Sequence, residues 1–275
     1  MKDKLSNFKN VMWAAAILLC LLAMLVGLIF SMSQKNHEAR AEGTIVLGQI
    51  DRTKKAKADD VAGLEPAGPV LHTLPESSKG SLESVFGMTF LCDKTIMGID
   101  TYAKHYGDGI ITSIWTDDGT GLAAKNAADT PIKFVDGSLI TAGNAAMITR
   151  PKTVVIYLGG DGLAGTTQQE FIDGYKALIE SLRSANPNIN IIVCSIGSIS
   201  SNYQGSDGLD SQKIWYANQW IRQICVDTGV YFADLASFLN DESGFLSDSY
   251  LMPDGRSISA AGIALIIDYF RIHYI

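Results

Sequence analysis

The chain has 275 residues, 47% of them hydrophobic, and carries 22 Lys and Arg against 29 Asp and Glu, a net charge of −7. This length and apolar content suit one sizeable domain with appendages better than two domains. From Gly87 onward the chain has 12 Lys and Arg against 20 Asp and Glu. That part repels phosphate backbones, so we expect no nucleic-acid partner.

The first distinctive element is an uncharged apolar segment of 22 residues, 11–32, which follows a short N-terminal tail, residues 1–10. As a helix the segment would rise about 33 Å, enough to cross the hydrocarbon core of a bilayer. A cleaved signal peptide is the alternative, because Ala39 and Ala41 have the spacing of a cleavage site. Signal peptides have apolar regions of only about 7 to 15 residues, so the segment predicts a retained transmembrane anchor.

Residues 33–86 mix charges of both signs and contain three of the seven prolines, a composition typical of a flexible tether. Lys2, Lys4 and Lys9 precede the apolar segment, whereas Lys35 and Arg40 follow it, so the positive-inside bias is slight. From that bias we expect a single-pass membrane protein whose C-terminal domain, residues 87–275, lies outside the cytoplasm.

Beyond Gly87, short apolar runs alternate with amphipathic stretches. The runs predict buried strands at residues 89–92, 109–115, 153–158, 189–195 and 230–233. The stretches predict helices at residues 167–184, 211–227 and from about Ser257 to the C-terminus. Residues 133–140 predict a small hairpin with a two-residue Asp136-Gly137 turn. Such alternation predicts an α/β fold with a mostly parallel sheet whose ligands bind beyond the carboxyl ends of the strands.

The four cysteines, Cys20, Cys92, Cys194 and Cys225, match neither the number nor the spacing of a zinc site or a disulfide framework. We interpret Cys92, Cys194 and Cys225 as buried apolar thiols.

Three predicted strand ends carry residues arranged like the conserved blocks of a hydrolase family. They read FLCDKT at residues 90–95, VVIYLGGDG at residues 154–162 and MPDGRSISAAG at residues 252–262. These segments resemble the blocks of the SGNH (GDSL) hydrolases, which read Gly-Asp-Ser, Gly-Thr-Asn-Asp and Asp-Gly-x-His. The resemblance extends over about 185 residues. It implies a flavodoxin-like three-layer α/β sandwich with a five-stranded, mostly parallel sheet, preceded here by the transmembrane helix.

The same resemblance implies that the catalytic chemistry is lost. Lys94 stands at the position of the family's serine nucleophile, and an ammonium group cannot form an acyl-ester intermediate. Ser257 stands at the position of the histidine, and its hydroxyl has too little basicity to accept the nucleophile's proton. Asp161 replaces the oxyanion-hole asparagine with a carboxylate. Asp254 matches the family's aspartate but has no imidazole to orient.

Two further family positions are less defined. The oxyanion-hole glycine corresponds to Gly119 or Gly121. Of the four histidines, His37 and His72 fall in the tether and His273 lies 16 residues beyond Ser257, which leaves His105 as the candidate for a substitute base.

If the resemblance holds, Asp93, Lys94, Asp161 and Asp254 converge on one rim at the strand ends. Lys94 is then expected to pair with Asp161 or Asp254. A magnesium or calcium ion held by the carboxylates is an alternative, but Lys94 would occupy its place, so we expect no metal and no cofactor. Lys94, Gly160, Asp161 and Asp254 are the candidate ligand-binding residues.

The leading hypothesis is a membrane-anchored, catalytically inactive SGNH-fold protein that binds a glycan or an envelope protein, or acts as a scaffold at the cell envelope. The alternative is an active esterase, such as a carbohydrate deacetylase, with a nucleophile other than the family's serine, for example Thr95. A structural subunit of a larger membrane assembly is a third possibility.

Overall fold

The computed structural model describes residues 72–77, 85, 87–96, 98–99, 113–117, 119, 121–205 and 207–275. The predicted N-terminal tail, the predicted span at residues 11–32 and most of the predicted tether lie outside these ranges. Across the ranges that are described, the structure contains no helix with the length and apolar character needed to cross a membrane.

The predicted parallel sheet is confirmed. The main sheet has five strands in the order β2-β1-β5-β6-β7, and every neighbouring pair is parallel. A separate antiparallel hairpin is formed by β3 and β4. In chain order the strands are β1 (Met88–Cys92), β2 (Ser113–Trp115), β3 (Ile132–Lys133), β4 (Leu139–Ile140), β5 (Thr153–Tyr157), β6 (Asn190–Cys194) and β7 (Tyr231–Ala233).

Helices connect the later strands and cover the sheet. In the described part of the chain they are α1 (Ala142–Thr149), α2 (Gln168–Ala185), α3 (Ser211–Thr228), α4 (Leu235–Leu239) and α5 (Ala260–Ile272). The three predicted helices are confirmed as α2, α3 and α5. Thr167 caps α2 through a capping box with Glu170, and Gly229 ends α3 in the left-handed conformation.

Alternating strand residues divide the interior into two apolar cores, one on each face of the sheet. On β5, Val154 and Ile156 belong to the core that includes α2 and α3. Val155 and Tyr157 belong to the core that includes α5. This alternation follows from the two-residue period of a strand and gives the three-layer sandwich that the sequence predicts.

Residues 72–77, which fall within the predicted tether, lie against the edge of the sheet. Phe232 on β7 donates its backbone N–H to the carbonyl of His72 and accepts a hydrogen bond from the N–H of Leu74. Leu74 is 3% exposed and belongs to the α5 core. This segment therefore pairs with β7 and covers backbone groups that an edge strand would otherwise expose.

The hairpin differs from its prediction. Its pairing ends at Lys133 and Leu139, so the connection is longer than the predicted two-residue turn. Beyond the ladder, Phe134 donates its backbone N–H to the carbonyl of Ser138 at 2.9 Å. Within this connection, Asp136 accepts hydrogen bonds from the backbone N–H and the hydroxyl of Ser138.

Candidate functional site

The carboxylate of Asp93 joins the ends of β1 and β5. Its side chain is fully buried, and Oδ1 accepts hydrogen bonds from the backbone N–H and the hydroxyl of Thr95, at 2.9 and 2.5 Å. Oδ2 accepts from the backbone N–H groups of Gly159 and Asp161, at 2.9 and 3.0 Å. Burial raises the pKa of Asp93 above its usual value, and these four hydrogen bonds oppose the rise.

Asp93 therefore does not lie on the exposed rim, contrary to the prediction from the sequence. All four of its hydrogen bonds come from residues that directly follow β1 and β5, so Asp93 holds the two strand ends together beneath the exposed rim. The physical reason is the geometry of the strand end, because the backbone N–H groups that follow β1 and β5 point inward and need a buried acceptor.

Two glycines bring the chain after β5 close to its neighbours. Gly159 has a φ of +113°, and an added Cβ would lie 2.8 Å from Ile196 and 2.9 Å from Phe171. A Cβ on Gly160 would lie 2.6 Å from the hydroxyl oxygen of Thr95. Both positions thus need glycine, the first for its conformation and for space and the second for space.

Lys94 and Asp161 form an ion pair at the rim. Nζ of Lys94 lies 2.8 Å from Oδ1 of Asp161, and the two side chains are 56% and 11% exposed. The predicted pairing of Lys94 with a rim carboxylate is confirmed, with Asp161 as the partner. The ammonium and the carboxylate therefore lie together where the chain leaves β1 and β5.

Arg256 is a second cation at this rim, and it was not among the predicted site residues. Its Nη2 lies 3.5 Å from Oδ1 of Asp161 and donates a hydrogen bond to the carbonyl of Gly160. Its Nη1 lies 3.0 Å from Oδ2 of Asp207, in the loop between β6 and α3. Arg256 therefore connects three loops, and Asp161 is shared between two cations. The feature of the sequence that could have indicated Arg256 is its position two residues after Asp254, in the segment at residues 252–262.

Asp254 holds the loop that precedes α5. Oδ1 accepts from the backbone N–H groups of Arg256 and Ser257, at 3.0 and 2.8 Å, and Oδ2 accepts from the hydroxyl of Ser257 at 2.6 Å. Burial raises the pKa of Asp254, but the hydrogen bonds from Ser257 and Arg256 outweigh that effect and lower it overall. Asp254 and Ser257 are thus brought together, as a carboxylate and a hydroxyl without an imidazole.

The two histidines in the described part of the chain lie elsewhere. His72 contacts Tyr231, the first residue of β7, and so lies away from the carboxyl ends of the strands. His273 stacks on Tyr269 at the end of α5. His105, the candidate substitute base, lies outside the described residues, as does His37.

The loop after β2 contains both candidate oxyanion-hole glycines. Gly121 donates its N–H to Oδ2 of Asp117, which also accepts from the N–H of Leu122 at 2.7 Å. The N–H of Gly121 is therefore already engaged within its own loop. Gly119 has a φ of +102° and stays a candidate by position alone.

The metal alternative gains no support from side-chain placement. Over the ranges that the structure describes, no three His, Cys, Asp or Glu residues are grouped so that they could hold a metal ion. Two of the three predicted rim carboxylates are instead engaged by Arg256, Lys94 and Ser257.

The fold and these strand ends define an α/β protein of the SGNH hydrolase type. The chain belongs to the GDSL-like lipase/acylhydrolase family, which matches it over residues 121–271, more than half of its length. The family predicted from the sequence is thus confirmed. Among curated proteins, none matches this chain.

Solved structures similar to this chain include three with esterase, lipase or acetyltransferase titles. A carbohydrate esterase family 3 protein from Talaromyces cellulolyticus is 16% identical, with 66% of this chain and 92% of that chain covered and a TM-score of 0.45. A GDSL-like lipase from Bacteroides thetaiotaomicron is 12% identical, with coverages of 69% and 87% and a TM-score of 0.46. The periplasmic domain of a lipopolysaccharide acetyltransferase from Salmonella ser. Paratyphi A is 17% identical, with coverages of 66% and 81% and a TM-score of 0.46.

Proposed function

We propose that this protein is a non-hydrolytic member of the GDSL-like family, anchored in a membrane, whose domain binds a ligand or a partner protein at the cell envelope. The observation that carries the proposal is the ion pair between Lys94 and Asp161, 2.8 Å long, at the positions of the family's nucleophile and oxyanion-hole donor. An acyl-transfer site needs a hydroxyl or thiol nucleophile there and a hydrogen-bond donor facing the developing oxyanion.

The acid–base part of the site supports the same proposal. Asp254 orients the hydroxyl of Ser257, which cannot act as a general base near neutral pH. The neighbouring cations, Lys94 and Arg256, both lie against Asp161. A serine hydrolase obtains its base from an imidazole held by such an aspartate, and here the aspartate holds only a hydroxyl.

Thr95 is a poor substitute nucleophile. Its side chain is 4% exposed, and its hydroxyl donates to Asp93 at the base of the site. Gly160 lies so close that even a methyl group placed there would contact the threonine oxygen. A substrate carbonyl would have to displace this packing to reach the hydroxyl, so Thr95 supports the strand ends.

The membrane anchor and the extracytoplasmic location rest on the sequence. The uncharged segment at residues 11–32 has the length of a span, and the lysines before it give the slight positive-inside bias. A domain held near the envelope in this way would meet glycans and envelope proteins at high local concentration.

The test is hydrolysis of p-nitrophenyl acetate by the full chain in detergent micelles, compared with a variant carrying Lys94→Ser, Asp161→Asn and Ser257→His. The wild type should not exceed the buffer rate. The restored variant should exceed the wild type by at least about tenfold, because a positioned base alone contributes on the order of 10² to 10⁴ in rate. A matched control carries Lys94→Ser and Asp161→Asn but keeps Ser257, and it should stay inactive.

Wild-type hydrolysis clearly above the buffer rate would overturn the proposal. Lys94→Ala and Thr95→Val variants are measured beside it to locate the residue responsible. Loss of that activity in Thr95→Val would then identify the hydroxyl nucleophile of an active esterase.

A further inference from the structure

A polar groove lies beside the rim, between residues 200–205 of the β6–α3 loop and residues 248–255 of the loop before α5. Its volume is about 760 Å³, within the range of small-molecule sites, and Asp254 contributes to its wall. Asn202, Gln204 and Met252 are among the lining residues that are exposed, so the groove is open to solvent along its length. An open groove suits an extended ligand better than an enclosed small molecule.

The two loops are fixed to each other. Ser200 donates its backbone N–H to the carbonyl of Gly255 at 2.9 Å and its hydroxyl to Oδ1 of Asp248 at 2.8 Å. Gly255 has a φ of +67°, and a Cβ there would lie 3.4 Å from Ser200 and 3.5 Å from the ring of Tyr203. The walls are therefore set before any ligand arrives, which lowers the entropic cost of binding.

The polar groups in the groove disfavour an anionic ligand and can hydrogen-bond a ligand rich in hydroxyl groups. The lining contains the carboxylates of Asp248 and Asp254 and the amides of Asn202 and Gln204, and no Lys or Arg is among the lining residues. Carboxylates repel phosphate or uronate groups, so an anionic ligand is disfavoured. Sugar hydroxyls both donate and accept hydrogen bonds, and an amide side chain offers the matching donors and acceptor.

The apolar groups supply the second half of sugar recognition. Tyr203 is half-buried, and its hydroxyl lies 3.3 Å from Oδ1 of Asp207, which restrains the ring. Leu251, Met252 and Pro253 lie in the opposite loop, and Met252 is 47% exposed. Aromatic and thioether side chains cover the C–H faces of a sugar ring without requiring a charge on the ligand.

We propose that this groove binds a stretch of neutral glycan, with Tyr203 as the stacking residue and the amides of Asn202 and Gln204 as hydrogen-bonding groups. This inference rests on the proposed function, for which it names the ligand class. Neither Lys94 nor Asp161 is among the lining residues, so glycan binding in the groove does not require that ion pair.

The experiment is calorimetric titration of the full chain, in detergent micelles, with cellotetraose and chitotetraose as neutral probes and with a tetragalacturonate and spermine as charged probes. We expect at least one neutral tetrasaccharide to bind with a dissociation constant below about 1 mM. Tyr203→Ala and the double change Asn202→Ala and Gln204→Ala should each weaken binding by at least about tenfold. Tyr203→Phe, which keeps the ring, and Asn144→Ala, an exposed asparagine on α1, should leave it within about twofold.

Absence of binding by both neutral tetrasaccharides would overturn the inference, as would binding that is unchanged in Tyr203→Ala and in the double variant. Tighter binding of tetragalacturonate or of spermine would also overturn it. Circular dichroism of each variant separates a lost contact from a lost fold. Ester hydrolysis by the wild type would contradict the proposed function, whereas an inactive protein that binds no neutral glycan would contradict this inference alone.

Discussion

The carboxyl edge of the sheet has a buried half and an exposed half, and they differ in the partners of their charged side chains. In the buried half, Asp93 still accepts four hydrogen bonds that join β1 to β5. In the exposed half, Lys94 forms an ion pair with Asp161 and Ser257 donates its hydroxyl to Asp254. A buried carboxylate that accepts backbone hydrogen bonds contributes to stability, whereas exposed side chains at a strand end can change without loss of the fold.

The largest effect should follow from Asp93→Asn. The amide would place N–H groups opposite backbone donors, so we expect the free energy of unfolding to fall by about 1–3 kcal/mol for each buried donor left unsatisfied. Urea denaturation followed by circular dichroism measures this loss. The same change at the exposed Asp136, which also accepts from its own turn, should have little effect. Equal effects at the two positions would remove the distinction between a buried and an exposed half.

The next largest loss of stability should come from Gly159→Ala. An alanine there would have to adopt a positive φ, and its Cβ would lie 2.8 Å from Ile196 and 2.9 Å from Phe171. We expect a loss of about 1–3 kcal/mol in the free energy of unfolding. Gly165 is the matched control in the same loop, because no atom lies within 4 Å of the position of an added Cβ. If Gly165→Ala were as costly as Gly159→Ala, the close packing around the β5 end would not be the cause.

Arg256→Ala should open the exposed half locally and leave the buried half intact. Without the bond to Asp207, the loop at residues 200–205 would open more readily, and local opening easier by about 1.4 kcal/mol raises protease cleavage about tenfold. Limited proteolysis with mass spectrometry identifies the cleaved loop. Arg222→Ala, which removes a different arginine–aspartate pair, is the control and should not expose this loop. A global loss of stability in Arg256→Ala would instead make the arginine part of the buried support.

The smallest effect concerns pH. The hydrogen bonds to Asp254 hold its pKa below 3.8, so its contribution to stability is complete above that pH and is lost as the pH falls through the lower, folded-state value. The difference in stability between wild type and Asp254→Ala should therefore be largest near pH 6 and should shrink below about pH 3.8. Denaturation midpoints of the wild type and Asp254→Ala, measured near pH 6 and again below about pH 3.8, test this. A stability difference between the two proteins that grows on acidification would contradict it.

The sequence predicts the sheet well because its strands are short apolar runs separated by clear helical patterns. It does not predict α1, since Ala142–Thr149 is rich in small residues and has no distinct polar face. It also places residues 72–77 in a tether, because a single buried leucine, Leu74, gives no periodic signal. The pairing with β7 depends on backbone N–H and C=O groups, which all residue types except proline carry in full.

For the site, the sequence predicts which positions lie at the strand ends but not the direction in which each side chain points. Lys94 reaches Asp161 as expected, whereas Asp93 turns inward to accept backbone N–H groups. Arg256 and Asp207 are 49 residues apart in the chain, and neither belongs to a pattern that would link them. Their contact becomes visible only when the two loops are placed side by side in the fold.

The central claim is that no activated nucleophile lies at this edge of the sheet. Labelling of the full chain with a fluorophosphonate probe, followed by peptide mass spectrometry, tests it directly. Such a probe phosphonylates a hydroxyl, with loss of fluoride, where a base activates that hydroxyl as a nucleophile. The account predicts no adduct on the wild type and an adduct at position 94 of the variant carrying Lys94→Ser, Asp161→Asn and Ser257→His. A stoichiometric adduct on any hydroxyl of the wild type would contradict the account.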